Sequence, residues 1–331
     1  MSMNQKLDVI VIGAGAAGLA CGIEARKRNL DFLIIDRGAV VNAIAKFPTD
    51  MKFFTTPDLL EIGGLPLVCA TEKPRRSEVL KYYRRVVEYY RLPLNDYEEV
   101  LGISGSDEDF TIATRDRLSN PRQYRCRKLI VAVGYYDNPN MLSIPGEELG
   151  KVSHYYKESH PYFGHKVAVI GGKNSAVETA LNLYRNGVEV TLIHRGPALG
   201  KHIKYWVLPD IQNRIQNGEI KALLSSEVTE IRPSEIVIQT PSGELILEND
   251  FVLAMTGYHP DEKFVGSLGI EMDPELFVPS HDPETLESNV QGIYLAGAVV
   301  SGRMTNRIFI ENGRFHGEQI FKYWPETQTT S

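Results

Sequence analysis

The segment Gly13-Ala-Gly15-Ala-Ala-Gly18 has the residue types and spacing to hold a dinucleotide. Before it lies Asp8-Val-Ile-Val-Ile12, a short β-branched run that reads as a buried parallel strand. After it, helical spacing runs from about Gly15 to Asn29. Glycines at these three places permit a tight turn, close backbone approach to a pyrophosphate, and close helix–strand packing. The helix start supplies N–H donors and the positive end of a dipole. Asp36 ends the next buried strand, Phe32-Leu-Ile-Ile-Asp36, 18 residues after Gly18. Its carboxylate can accept hydrogen bonds from both ribose hydroxyls of an adenosine, and it would repel a 2′-phosphate. FAD or NAD(H) fits this site and NADPH does not. The candidate contacts are Gly13, Gly15, Ala16, Ala17, Gly18, Asp36 and Arg37.

The same unit recurs 158 residues later: Lys166-Val-Ala-Val-Ile170 leads into Gly171-Gly172-Lys173-Asn174-Ser175-Ala176. Lys173 stands where the middle glycine would be, and its ammonium can meet a pyrophosphate. A helix from Ser175 to Asn186 stops at Gly187, and Val188–His194 is the partner strand. Gly13 and Asp36 are 23 residues apart, and 23 residues beyond Gly171 is His194, followed by Arg195. Lys201 and Lys204 lie just beyond. Loss of the acid and gain of an arginine favour a 2′-phosphate. One chain therefore carries one site that repels NADPH and one that welcomes it, which assigns FAD to the first and NADPH to the second.

The elements that must position these loops are those of an α/β chain with two Rossmann-type nucleotide-binding domains. A break at Asn138-Pro139-Asn140 and another at Gly257-Tyr-His-Pro260 delimit an NADPH-binding domain over 138–257. Residues 1–137 and 258–331 form a discontinuous FAD-binding domain. Within it, Thr49–Thr71 shows no period, and Ser77 opens a helix with Leu80, Tyr83, Val87 and Tyr90 on one face. Strands are predicted at Phe110–Thr114 and Leu129–Val133. The tail gives a strand, Gly292-Ile-Tyr-Leu-Ala-Gly297, and one helix over Phe309–Tyr323, with a polar end from Glu326 to Ser331.

Bulk properties exclude several classes. The chain has 331 residues, 43% apolar and 24% charged, with net charge −6. Its most basic cluster, Lys73-Pro-Arg-Arg76, is too short for a nucleic-acid or anionic-membrane surface. The apolar stretch Val9–Ile23 is too short to span a bilayer and contains four glycines. The expected setting is the cytoplasm. Cys21, Cys69 and Cys126 are scattered and form no CxxC, which excludes a disulfide scaffold or a zinc site.

Taken together, the two Rossmann units, Val131-Ala-Val-Gly134, Leu253-Ala-Met-Thr-Gly257 and Gly292–Gly297 resemble the low-molecular-weight thioredoxin reductase group. Phe54-Thr-Thr, Gly134-Tyr-Tyr136, His160-Pro-Tyr-Phe163, Ile170–Ala176, Trp206-Val-Leu-Pro209 and Ile308-Phe-Ile-Glu-Asn-Gly-Arg-Phe-His-Gly317 narrow the likeness to the bacillithiol disulfide reductase family. The resemblance covers essentially the whole chain. It implies a thioredoxin-reductase-like, FAD-containing homodimer that oxidises NADPH and reduces a low-molecular-weight disulfide or a small redox protein. It adds Gly134, Gly297, Ala298 and Ile308 to the FAD contacts. The sequence departs from the pattern in three places. His154-Tyr-Tyr-Lys157 stands where thioredoxin reductases carry a redox CxxC, and Ala17 where the family carries a cysteine beside the flavin. Ala298 replaces the aspartate that binds the flavin ribitol in the wider group, a change this family shares, leaving the ribitol to backbone groups and the helix start at Ile308–Gly313. No catalytic residue is assigned. Other readings are a ferredoxin or flavodoxin–NADP reductase, with Tyr323 or Trp324 stacked on the flavin, a non-catalytic flavin/NADPH sensor, and a monooxygenase, for which no fingerprint is found.

Overall fold

The computed structural model describes residues 6–200 and 203–324. The chain forms two compact units: 1–46, 50–138 and 258–331 make the first, 47–49 and 139–257 the second. Residues 47–49, expected in the first unit, belong to the second, where the Thr49 N–H donates to the Lys157 carbonyl (2.8 Å).

The first unit opens with β1 (Lys6–Ile12), α1 (Ala16–Lys27) and β2 (Phe32–Ile35), followed by the short α2 (Asn42–Lys46) and the long α3 (Arg76–Tyr90). Then come β3 (Leu94–Asn95), β4 (Glu99–Ser106), β5 (Asp109–Arg115) and β6 (Pro121–Val131). The sheet order is β3-β2-β1-β6-β5-β4. β1 runs parallel to β2 (Val9 opposite Phe32) and to β6 (Val9 opposite Lys128). Burial on both faces is why these strands are continuous apolar runs. β6 starts eight residues before the predicted strand. Its first half, Pro121–Cys126, pairs antiparallel with β5 and alternates partly exposed charges, so it carries no apolar run.

On α3 the buried stripe is Val79, Tyr82, Tyr83 and Val86. It is rotated from the predicted face, keeping only Tyr83. The helix also makes polar contacts with the loop before it. Tyr83 Oη donates to the Leu60 carbonyl (2.9 Å) and Tyr82 Oη to the Leu65 carbonyl (2.8 Å), while Tyr82 Oη accepts the Ile62 N–H (2.8 Å). The tyrosines satisfy the backbone of a loop that has no secondary structure to do so.

The second unit contains β7 (Val152–Ser153), β8 (Lys166–Ile170), α4 (Asn174–Arg185), β9 (Glu189–His194), α5 (Leu208–Gln216) and β10 (Lys221–Leu224). β11 (Glu227–Ile231), β12 (Glu235–Thr240), β13 (Gly243–Glu248) and β14 (Phe251–Ala254) complete it. A parallel sheet of order β10-β9-β8-β14-β7 carries helices on one face, with Val167, Val169, Leu183, Leu192 and Leu253 in that core. Its other face, Ala168, Ile170, Ile193 and Val252, is covered by Val228, Ile231, Ile236 and Ile238 of the antiparallel sheet β11-β12-β13.

The chain then returns to the first unit with α6 (Glu262–Ser267), β15 (Ile293–Leu295), α7 (Ile310–Gly313) and α8 (His316–Lys322). β15 joins the sheet beside β6, with Ile293 opposite Leu129. The single helix predicted over 309–323 is two. At the break the Phe315 N–H reaches the Asn312 carbonyl (3.3 Å), three residues back instead of four. Trp324, a candidate for stacking on a flavin, instead packs on Phe321 and Tyr294, with ring centroids 4.5 and 5.4 Å away.

At the α1–β1 junction backbone packs closely on backbone. An ideal Cβ on Gly18 would lie 1.9 Å from the Gly13 carbonyl oxygen. Gly18→Ala should therefore cost about 1–3 kcal/mol as overpacking. The measurement is the urea unfolding midpoint of the apoprotein, and an unchanged midpoint would show that α1 moves freely away from β1.

Candidate functional site

The first glycine loop sits at the carboxyl ends of β1 and β6, the side of a parallel sheet where nucleotides bind. Gly13 has φ +111°, its N–H donates to the Ile35 carbonyl (2.8 Å), and a Cβ there would lie 2.4 Å from the Ala132 oxygen. Gly15 is the N-cap of α1, and a Cβ built on it meets nothing within 4 Å. Space is thus left open over the first turn of α1, where Ala16 and Ala17 present methyl groups only. These are the conditions a pyrophosphate needs. Gly134, at φ +65°, is likewise open.

Asp36 follows β2 and is mostly buried. Its Oδ2 accepts the Ala14 N–H (2.6 Å) and its Oδ1 accepts the Gly38 N–H (2.7 Å). Burial pushes its carboxyl up, and these two donors pull it back in part. Asp36 thus fixes the glycine loop first. Each oxygen keeps a lone pair for a ribose hydroxyl.

Arg37, expected at the cofactor, has other partners. Its guanidinium pairs with Asp137 (3.1 Å) and lies 3.9 Å from Asp261. Lys46 closes on the other oxygen of Asp137 (2.5 Å). Burial alone would raise the Asp137 carboxyl, and Lys46 and Arg37 more than reverse it. Asp137 and Lys46 carried no sequence signal, since 91 residues separate them.

Gly297 and Ala298 begin a short 3-10 turn after β15. Gly297 has φ +74°, and a Cβ on it would come 2.8 Å from the Ala17 Cβ, so the tail of the chain lies against the first glycine loop. Its N–H donates to Nδ1 of His316 (3.0 Å), a residue that the sequence analysis did not single out. Ile308 packs beside Gly313 on the same side of the unit.

The second loop repeats the construction. The Gly171 N–H donates to the Ile193 carbonyl (2.9 Å), and a Cβ on Gly171 would lie 2.5 Å from the Met255 oxygen. Three things differ. Lys173, exposed, is the N-cap of α4 where Gly15 caps α1. Ala176 replaces Gly18. Gly172 is covered by the His194 ring, whose Cγ, Cδ2 and Cε1 would each lie 2.5 Å from a Cβ on it. Burial, then the Arg195 charge, lower the His194 pKa and keep the ring neutral. Arg195 is exposed and has no hydrogen bond or ion pair among the described residues. Lys204, expected as a second cation for the 2′-phosphate, is committed elsewhere. Its ammonium pairs with Glu178 of α4 (2.6 Å) and its N–H donates to Asn174 Oδ1 (2.9 Å). Ser175 is exposed in the first turn of α4. Lys201 lies outside the described residues.

No thiol is poised to react. Cys21 and Cys126 are buried and pushed up to about 12 by burial, and the partly exposed Cys69 is also raised. In the 154–157 stretch, Tyr156 Oη bonds to Asn182, and His154 Nε2 lies 3.2 Å from Glu147. No described helix is long and apolar enough to cross a membrane.

A chain with one acid-marked and one arginine-marked dinucleotide loop, each in its own α/β unit, is an NADPH-dependent flavoprotein oxidoreductase with the thioredoxin-reductase-like fold. Its cofactors are FAD and NADPH. Residues 10–297 match the family described as "Pyridine nucleotide-disulphide oxidoreductase". The chain is 42% identical over 313 residues to the Bacilliredoxin reductase Bdr of Bacillus subtilis (strain 168), covering 94% of this chain and 95% of that protein. Two solved structures of Bacillithiol Disulfide Reductase Bdr (YpdA) are also similar. The one from Bacillus cereus has TM-score 0.94 and 42% identity, and the one from Staphylococcus aureus 0.91 and 40%; both cover 96% of this chain and 98% of theirs. The chain belongs to the pyridine nucleotide-disulphide oxidoreductases and, within them, to the bacillithiol disulfide reductase family. Reduction of a low-molecular-weight disulfide is thereby favoured over electron delivery to a ferredoxin or flavin-based sensing.

Asp36→Ala leaves two backbone N–H groups without their acceptor. The apoprotein should lose roughly 1–3 kcal/mol before any cofactor is added. Thermal unfolding of the apoprotein checks this, and an unchanged transition would mean that Asp36 does not hold the loop.

Proposed function

We propose that this protein carries two electrons from NADPH to a low-molecular-weight disulfide such as bacillithiol disulfide, through FAD and without a protein thiol. The balance is NADPH, a proton and one disulfide giving NADP⁺ and two thiols. The observation that carries this reading is the contrast between the two loops. Asp36 stands where a 2′-phosphate would be repelled, and Arg195, exposed and without an ion pair among the described residues, stands where one would be bound. Gly13–Gly18, Asp36, Gly134, Gly297, Ala298 and Ile308 hold FAD, with Arg37 placing the turn after Asp36. Gly171–Ala176, His194 and Arg195 hold NADPH, and Lys201 and Lys204 follow them in sequence. Bound FAD supplies hydride acceptance and donation. The chain's own part is to fix both nucleotides by backbone groups and to keep side chains out of their path. The disulfide substrate comes from the relatives' names, and the Ala17 methyl and the raised thiols support its reduction without a mixed disulfide. We place the enzyme in the cytoplasm as a homodimer.

The direct test is anaerobic stopped-flow. The enzyme is reduced with NADPH, then mixed separately with bacillithiol disulfide, ferredoxin and oxygen. Fastest flavin reoxidation by the disulfide is expected, and faster reoxidation by ferredoxin would overturn the substrate.

Two variants refine the reading. Arg195→Ala removes a charge-assisted contact worth roughly 1.5–3 kcal/mol, so the KM for NADPH should rise about ten-fold or more while that for NADH barely moves. Equal effects on both coenzymes would remove Arg195 from the discrimination. A Cys21→Ala, Cys69→Ala, Cys126→Ala triple variant should keep acceptor turnover near wild type. Loss of turnover with normal flavin reduction would expose one of these cysteines as a relay.

A further inference from the structure

The first unit buries a histidine that the nucleotide assignment does not use. His316 opens α8 and is 8% exposed. Its Nδ1 accepts the Gly297 N–H at 3.0 Å. Gly297 is held closely on both sides. An ideal Cβ on it would lie 2.8 Å from the Ala17 Cβ, and a Cβ on Gly313 of α7 would lie 3.4 Å from the Gly297 Cα. The peptide joining Ala296 to Gly297 is thus fixed between the first turn of α1 and the tail helices, and His316 is its one side-chain partner among the described residues. Ala298 follows directly, so this turn has backbone and methyl groups to offer, and no carboxylate.

The imidazole suits the task. Burial, and then the neighbouring His281, push the His316 pKa down to about 4, so the ring is neutral near pH 7 and Nδ1 keeps its lone pair. With Nδ1 accepting, the ring proton sits on Nε2. The position of α8 does not depend on this bond. A Cβ on Gly317 would lie 2.9 Å from the backbone of Ala20 and Cys21, and Ile320 and Phe321 are buried. α8 therefore stays on α1 through its own packing when the hydrogen bond is lost.

We propose that His316 is a positioning residue for the flavin cofactor: by accepting the Gly297 N–H it locks the 296–298 turn against Ala17, giving FAD a fixed backbone surface at a position that has no carboxylate. This inference rests on the assignment of FAD to the Gly13–Gly18 loop. His316 acts through Gly297 and takes no part in electron transfer.

The test compares FAD binding by the apoproteins of wild type, His316→Asn, His316→Gln and His316→Leu, read by quenching of flavin fluorescence, with the apoprotein melting temperature as a control. An Asn amide oxygen can stand where Nδ1 stands. Gln reaches the Nε2 position instead, and Leu fills volume without an acceptor. FAD affinity should fall about ten-fold in the Leu and Gln variants, the scale of one buried N–H left unpaired, and stay within about three-fold of wild type in the Asn variant. Equal affinity in all four proteins would overturn the proposal. So would equal weakening in all three variants alongside equal losses of melting temperature, which would mark His316 as packing only. Wild-type apoprotein that takes up no FAD would overturn the cofactor assignment itself, an outcome distinct from the other two.

Discussion

Where β1 hands over to α1, main chain meets main chain. The Gly13 carbonyl occupies the place that a side chain on Gly18 would need, and the Ala132 carbonyl occupies the place that one on Gly13 would need. A helix start can serve an anion only if nothing stands between its N–H groups and the ligand, and here even a methyl at Gly18 would push it away. Much of the first unit can be understood as support for that contact. The sheet sets β1, β2 and β6 in parallel register, Asp36 holds Ala14 from the side, and Gly297 closes over Ala17.

The second unit uses the same frame with the contact relaxed. Ala176 stands in the place of Gly18, and Lys173 takes the open place of Gly15. The decisive change is at the end of the second strand. An acid that accepts two backbone donors becomes a neutral imidazole lying over Gly172, and the next residue is an exposed arginine without a partner among the described residues. Coulomb repulsion between a carboxylate and a phosphate a few ångströms apart costs about 1 kcal/mol even in water and more beside a protein. On the proposed assignment, the residues at one strand end sort NADPH from FAD between two otherwise similar folds.

Features built from neighbours in sequence were legible there. Glycine turn, helix and the residue that ends the next strand all fall within 24 residues, so Asp36 and His194 could be found by counting from Gly13 and Gly171. What escaped depends on distant partners. The first half of β6 reads as a charged loop until β5 pairs with it. The β11–β13 sheet has short alternating strands that bury one face only against the underside of the parallel sheet. The tyrosines in the buried stripe of α3 bond to carbonyls of the 60–65 loop, which no helical period reports. Lys204 looked like a free cation because its partner, Glu178, lies 26 residues back on α4. His316 is distinguished only by the N–H it receives from Gly297, 19 residues earlier.

The chemistry after flavin reduction turns on thiolate availability. Burial disfavours the thiolate, and it would bar a disulfide from reaching the sulfur in any case. Cys21 and Cys126 are in that state, and Cys69, though less buried, is shifted in the same direction. Ala17, where the family resemblance implies a cysteine, is a methyl facing Gly297, which can neither attack sulfur nor leave it. On the proposed function, a disulfide substrate takes both electrons from the reduced cofactor. What the protein contributes to that step is rigidity and access: an open place at Gly15, and a 296–298 turn lying against Ala17 whose Gly297 N–H is accepted by a buried imidazole.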